Sequence, residues 1–217
     1  MRSVIWDMGG TLVDTYPAVD RTLATAVWGD DVTGTQLAEV RTLRVRSIAH
    51  AIKVLSQRHH IDPALLQQAY SDLKVGWKAH PAPLMDGARE VLDAVHSGGG
   101  LNLVATHRDR ASAQTLLDAL GITVDDLVCA PDGLPRKPDP TMNLTLVARH
   151  HLVPGEVMCV GDRVIDVQAA DRAGLASALL VTPGEPAEDL GDLSTTVITH
   201  LKELLPLLNG TWGSAAN

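Results

Sequence analysis

Val4-Ile5-Trp6-Asp7-Met8-Gly9-Gly10-Thr11-Leu12 carries an apolar run directly into a carboxylate, with two glycines and a hydroxyl close behind. The run fits a short buried strand, and Gly9-Gly10 ends it by letting the backbone turn sharply. Asp7 therefore belongs at the C-terminal tip of a strand, the edge where open α/β sheets bind their ligands. A carboxylate there can be a nucleophile or a metal ligand, or it can simply be solvated. The rest of the chain decides.

After Leu12-Val13 the pattern turns helical. One helix opens near Thr15 and Pro17 with Val19, Leu23, Ala26 and Val27 on a face; a second is expected from Gln36 to Ser56 with Ile48, Ile52 and Leu55 inward. A third starts at Asp62-Pro63 with Leu65, Ala69, Leu73 and Trp77 spaced by four. No strand-like run interrupts residues 15–80, which suggests a helical cap inserted as a lid over the first strand's tip. His80-Pro81-Ala82-Pro83 is a linker. Beyond it, strands at 101–105, 126–130, 157–160 and 178–181 alternate with helices at 112–120, 141–151 and 164–173. Such alternation indicates a parallel sheet with right-handed crossovers. The expected organisation is an α/β core of residues 1–14 and 83–210, an all-helical cap of residues 15–82, and a loose tail, 211–217.

Four strand ends then carry polar residues. Asp7 and Thr11 follow the first strand, Thr106-His107-Arg108 the second, Arg136-Lys137-Pro138 precedes a helix, and Gly161-Asp162-Arg163 ends a strand with Asp166 shortly after. In a parallel sheet these ends share one edge, so the residues can converge.

In set and order these residues resemble the haloacid dehalogenase-like hydrolase superfamily, in its version with a helical cap inserted after the first motif. The likeness runs from Val4 to about Val181: Asp-Met-Gly-Gly-Thr-Leu looks like the first motif, Thr106 the second, Lys137 the third, and Gly161-Asp162 with Asp166 the fourth. It implies a Rossmann-like parallel core and an aspartyl intermediate on Asp7. It also implies Mg²⁺ held by Asp7, Asp162 and the Gly9 backbone carbonyl, with Asp166 acting through a water. Thr106 and Lys137 would bind the oxygens of the transferring group, and Gly9, Gly10 and Thr11 would line the substrate. Three crowded carboxylates repel one another, so a divalent cation would let all of them stay ionised.

The family's phosphatases usually place a second Asp, the general acid, where this chain has Gly9. A positioned general acid contributes roughly 10²–10⁴-fold, so its absence allows three readings. A phosphatase of a small phosphorylated metabolite would favour good leaving groups or borrow a donor, with His107 the natural stand-in and His50 of the cap another candidate. A carbon–phosphorus hydrolase resembling the family's phosphonate-cleaving branch would use a cap lysine as a Schiff base, from Lys53, Lys74 or Lys78. A weakly active or non-catalytic Mg²⁺/phosphate binder would need no nucleophile, and Asp7 argues against it. Arg46 and His50 are four apart on the expected second helix, so they would share a face able to look down at the site; a solvated charged face is the alternative.

A net charge of −8 argues against a general electrostatic attraction to nucleic acid. No apolar run approaches the roughly 18–20 residues of a membrane span, and the chain opens into a core strand with no room for a signal peptide. Cys129 and Cys159 sit in apolar, strand-like contexts and read as buried free thiols. A cytoplasmic monomer or homodimer is expected. With 45% hydrophobic residues and no Phe, its core must be built from Leu, Val, Ile and Ala, helped by Trp.

Overall fold

The computed structural model describes residues 2–183 and 189–209; the expected tail, 211–217, lies outside the described residues. The chain divides into two compact units, one of Met1–Asp14 with Pro83–Asn217 and one of Thr15–Ala82. β1 (Ser3–Trp6) precedes the helices α1 (Tyr16–Trp28), α2 (Gly34–Arg46), α3 (Ile48–His59) and α4 (Pro63–Gly76) of the second unit. The first unit resumes with α5 (Ala88–Ser97), β2 (Asn102–Thr106), α6 (Arg110–Ala119), β3 (Asp126–Cys129) and α7 (Thr141–Arg149). It closes with β4 (Val157–Gly161), α8 (Val164–Arg172), β5 (Ala176–Leu180), β6 (Thr196–Ile198) and α9 (Leu204–Asn209).

The α/β unit is built on a six-stranded sheet in the order β3-β2-β1-β4-β5-β6, with every pairing parallel. The chain starts in the middle of the sheet and winds outward both ways, so β1 sits at the point where the strand order reverses. That is the position where α/β sheets open a crevice beyond the strand ends. One face buries Ile5, Leu103, Ala105, Val128, Met142, Leu146 and Cys159 in a single cluster. Trp6 is fully buried, and its indole N–H is satisfied by Asn102 Oδ1 at 3.0 Å while Asn102 Nδ2 donates to Leu92 O at 2.9 Å. Both cysteines are free and buried; burial raises Cys129 to about 11 and Cys159 to about 12.

The insertion leaves and rejoins the α/β unit at one place. Val13 bridges Leu84 in antiparallel fashion, Asp14 N–H donates to Pro83 O, and Met85 N–H donates to Leu12 O, each bond 2.9 Å long. Closing the two ends of the break this tightly lets a 68-residue excursion (Thr15–Ala82) interrupt the core sequence while the sheet stays continuous.

The helical unit corrects four expectations. The helix anticipated from Gln36 to Ser56 is two helices, because Ser47 is fully extended (φ −179°, ψ 157°) and its hydroxyl caps α3 by accepting the His50 N–H. Arg46 therefore ends α2 and His50 lies in the first turn of α3, so the two do not share a helix face. On α4 the buried residue is Leu66, with Trp77 buried just past the helix, while Leu65 is 63% exposed. On α1 the buried face is Val19, Asp20, Leu23 and Ala24, with Ala26 outside it.

Candidate active site

The sheet register assembles the site. Trp6 pairs with Val104 of β2 on one side and Val160 of β4 on the other. Asp7 is the next residue, still tied to the ladder through its N–H to Val160 O at 2.8 Å. The chain then reverses tightly: Gly10 adopts φ +91° and donates to Val13 O, and the N–H groups of Leu12 and Val13 both return to Met8 O. A left-handed φ at position 10 is what glycine supplies without steric cost. Thr106 ends β2 and Gly161 ends β4, so both flank Asp7 by topology.

Lys137 reaches the same edge from the loop between β3 and α7. Its Nζ donates to Asp7 Oδ1 at 2.8 Å and to Asp166 Oδ1 at 2.7 Å, and its side chain is only 4% exposed. Burial works against the ammonium charge, but the attraction of Asp166 and Asp7 outweighs it and holds Lys137 above the ordinary lysine value. Asp166, in the first turn of α8, is fixed at its other oxygen by the Arg163 N–H at 3.1 Å. A Cβ at position 161 would overlap the Asp166 side chain. Glycine there is a packing requirement of the carboxylate, a reason invisible in a sequence motif.

Thr106 is buried and its hydroxyl oxygen accepts the Arg108 N–H at 3.2 Å, leaving the hydroxyl hydrogen to be donated elsewhere. Asp162 follows β4, and Thr11 donates its hydroxyl to Asp162 Oδ1 at 2.9 Å. Thr11 is fully buried and Gly10 spends its N–H inside the turn. These two were expected to line the substrate; the structure makes Thr11 a prop for Asp162 and Gly10 a turn residue.

His107 also departs from expectation. Its Nε2 accepts the backbone N–H of Lys137 at 2.8 Å, so that nitrogen carries no proton. Burial, with the Lys137 charge adding to it, lowers its pKa to about 4. With its lone pair engaged, Nε2 has no proton to give, which removes that nitrogen as the stand-in acid. Arg46 and His50 belong to the helical unit.

Asp7 and Asp162 stand one and two residues beyond paired positions of neighbouring strands, and both offer oxygen. Among the described residues no group of three His, Cys, Asp or Glu side chains could hold a metal ion. That donor set does not suit an ion needing a full side-chain cage. It does fit Mg²⁺, which binds through one or two carboxylates and completes its shell with water and substrate oxygens.

Residues 1–174 match the model of the haloacid dehalogenase-like hydrolase family. A phosphoglycolate phosphatase from Xylella fastidiosa is 29% identical, with 87% of this chain aligned to 83% of that protein. An N-acetylmuramic acid 6-phosphate phosphatase from Pseudomonas aeruginosa is 27% identical over 96% of this chain and 95% of its own. Among solved structures, a dehalogenase superposes with a TM-score of 0.72 at 22% identity, covering 97% of this chain and 98% of the other. The parallel sheet, the carboxylates and lysine gathered at its central edge, and a family match over most of the length agree: this chain belongs to the haloacid dehalogenase-like hydrolases.

Proposed function

We propose that this hydrolase is a Mg²⁺-dependent, cytoplasmic phosphatase of a small phosphorylated metabolite that works through an aspartyl-phosphate on Asp7. The observation that carries the reading is the Lys137 ammonium buried between Asp7 and Asp166. An ammonium has three donors; two are spent on the carboxylates, and the third is left for a phosphoryl oxygen beside the nucleophile. Relatives named as phosphatases of phosphoglycolate and of N-acetylmuramic acid 6-phosphate support phosphate monoesters as the substrate class.

In this scheme an Asp7 carboxylate oxygen attacks phosphorus, forming the Asp7–phosphate bond as the bond to the leaving oxygen breaks. Water then attacks phosphorus, releases inorganic phosphate and regenerates Asp7. Lys137 and the Thr106 hydroxyl hold the phosphoryl oxygens where negative charge concentrates. Asp7, Asp162 and the Gly9 carbonyl would hold Mg²⁺, with Asp166 one shell further out, and the ion supplies charge neutralisation on the phosphoryl group. The leaving oxygen takes its proton from solvent, because residue 9 has no side chain to give one. The phosphonate-cleaving alternative needs a desolvated lysine in the helical unit. Lys53 and Lys78 are exposed there, and Lys74 is partly open beside the Tyr70 ring.

The leaving-group dependence tests this. Acetyl phosphate and p-nitrophenyl phosphate should react faster than alkyl esters such as phosphoglycolate by about 10²-fold or more, the size of a missing general acid. Gly9 is not in the left-handed region, unlike Gly10, so its backbone accepts a side chain. Gly9→Asp should raise the alkyl rates selectively. Equal rates across the panel in the wild type would contradict a vacant acid position.

A further inference from the structure

We propose that His107 is a positioning residue: by accepting the Lys137 backbone N–H it sets the height of the lysine that clamps Asp7 and Asp166. The inference rests on the reading of Lys137 as a phosphate clamp. His107 Nε2 lies 2.8 Å from Lys137 N, across 30 residues of sequence, and the neighbouring Arg136 returns the contact by donating Nη2 to His107 O at 3.2 Å. Consecutive residues of the β3–α7 loop thus clasp both the ring and the backbone of His107. His107 follows Thr106 directly, so one short segment past β2 fixes both groups assigned to the phosphoryl oxygens.

The chemistry of the contact defines the role. A ring nitrogen that accepts an amide N–H is unprotonated, so the imidazole is neutral with its proton on Nδ1. With its lone pair engaged, Nε2 has no proton to give a leaving alkoxide, yet it is a good, rigid acceptor. Rigidity matters because Lys137 Nζ is wedged at 2.8 and 2.7 Å between two carboxylates and buried, with no slack to absorb a backbone shift. A misplacement of about 1 Å in such a group can cost on the order of 10²-fold in rate.

Two substitutions separate positioning from acid catalysis and from packing. His107→Gln offers an amide oxygen at the reach of Nε2 but no usable acid; His107→Leu fills similar space without an acceptor. Positioning is expected to leave His107→Gln within about threefold of wild type, while His107→Leu loses about 10- to 10²-fold in kcat with a smaller change in KM. Equal loss in both would mean an acid, and full activity in His107→Leu would mean packing alone; either overturns the proposal. Hydrogen exchange at the Lys137 amide gives a readout independent of turnover. It should be slow in wild type and His107→Gln and fast in His107→Leu, and equal exchange in all three would overturn the proposal. If wild type shows that exchange pattern but no phosphate release, the bond and its positioning of Lys137 stand and the phosphatase reading alone falls.

Discussion

Lys137→Ala is expected to lose phosphate release by about 10³-fold and to be less stable by about 3–5 kcal/mol. The first figure is the upper range for removing one preorganised donor from a developing oxyanion, and this donor is buried and also sets Asp7. The second is the usual result of removing one partner of a buried ion pair, which strands the other charge without compensation. Asp166 is 7% exposed at its side chain and would be that stranded charge. Burial already raises its pKa against the pull of Lys137, and without the lysine it must rise further, because burial disfavours the anion. A raised carboxylate contributes stability below the unfolded pKa and loses it as pH rises through the folded one. The deficit of Lys137→Ala relative to wild type should therefore shrink as pH falls toward 4, which urea unfolding at several pH values will show. A variant as stable as wild type at pH 7 would mean that Lys137 does not compensate these carboxylates.

Asp20→Ala should lower the stability of the helical unit by about 3–5 kcal/mol, again the usual cost of removing one partner of a buried ion pair. Asp20 on α1 takes Arg44 of α2 at 2.7 Å through Nε and at 3.3 Å through Nη2, and the two side chains are 5% and 3% exposed. The same guanidinium lies 3.8 Å from the centre of the Tyr16 ring, so Arg44 joins α1 to α2 by a fork and a cation–π contact at once. Arg41, half exposed, approaches the same carboxylate at 3.9 Å. Replacing both members, Asp20→Leu with Arg44→Met, should recover most of the loss, since buried pairs often break even against apolar residues of similar size. Circular dichroism during urea unfolding reports both variants. A double variant no better than Asp20→Ala would show that the pair contributes more than mutual compensation.

Much of the site was legible because parallel topology does the assembly. Strands ending in Trp6, Thr106 and Gly161 need only lie side by side for the residues at their tips to meet, and apolar runs broken by Gly and Pro announce such strands. What escaped was set by contacts distant in sequence. Thr11 and Asp162 are 151 residues apart, so nothing local says that this threonine faces a carboxylate instead of a substrate. His107 reads as a stand-in donor only from its place one residue past Thr106; its bond to the Lys137 amide has no signature in sequence. The division at Ser47 did leave a signal, a serine immediately before an apolar helical run, hidden by helical patterning on both sides. On α4 the adjacent Leu65 and Leu66 fit almost the same period, and packing chose the second. β6 spans three residues, two of them exposed, too little for alternation to register.

Phosphate release from p-nitrophenyl phosphate, with and without Mg²⁺, in wild type and Asp7→Asn, tests the aspartyl-phosphate mechanism most directly. Release should require both the ion and the Asp7 carboxylate, and Asp7→Asn with Mg²⁺ should fall to the level of buffer. Turnover that persists in Asp7→Asn, or a wild type no faster than that variant, would contradict catalysis through Asp7.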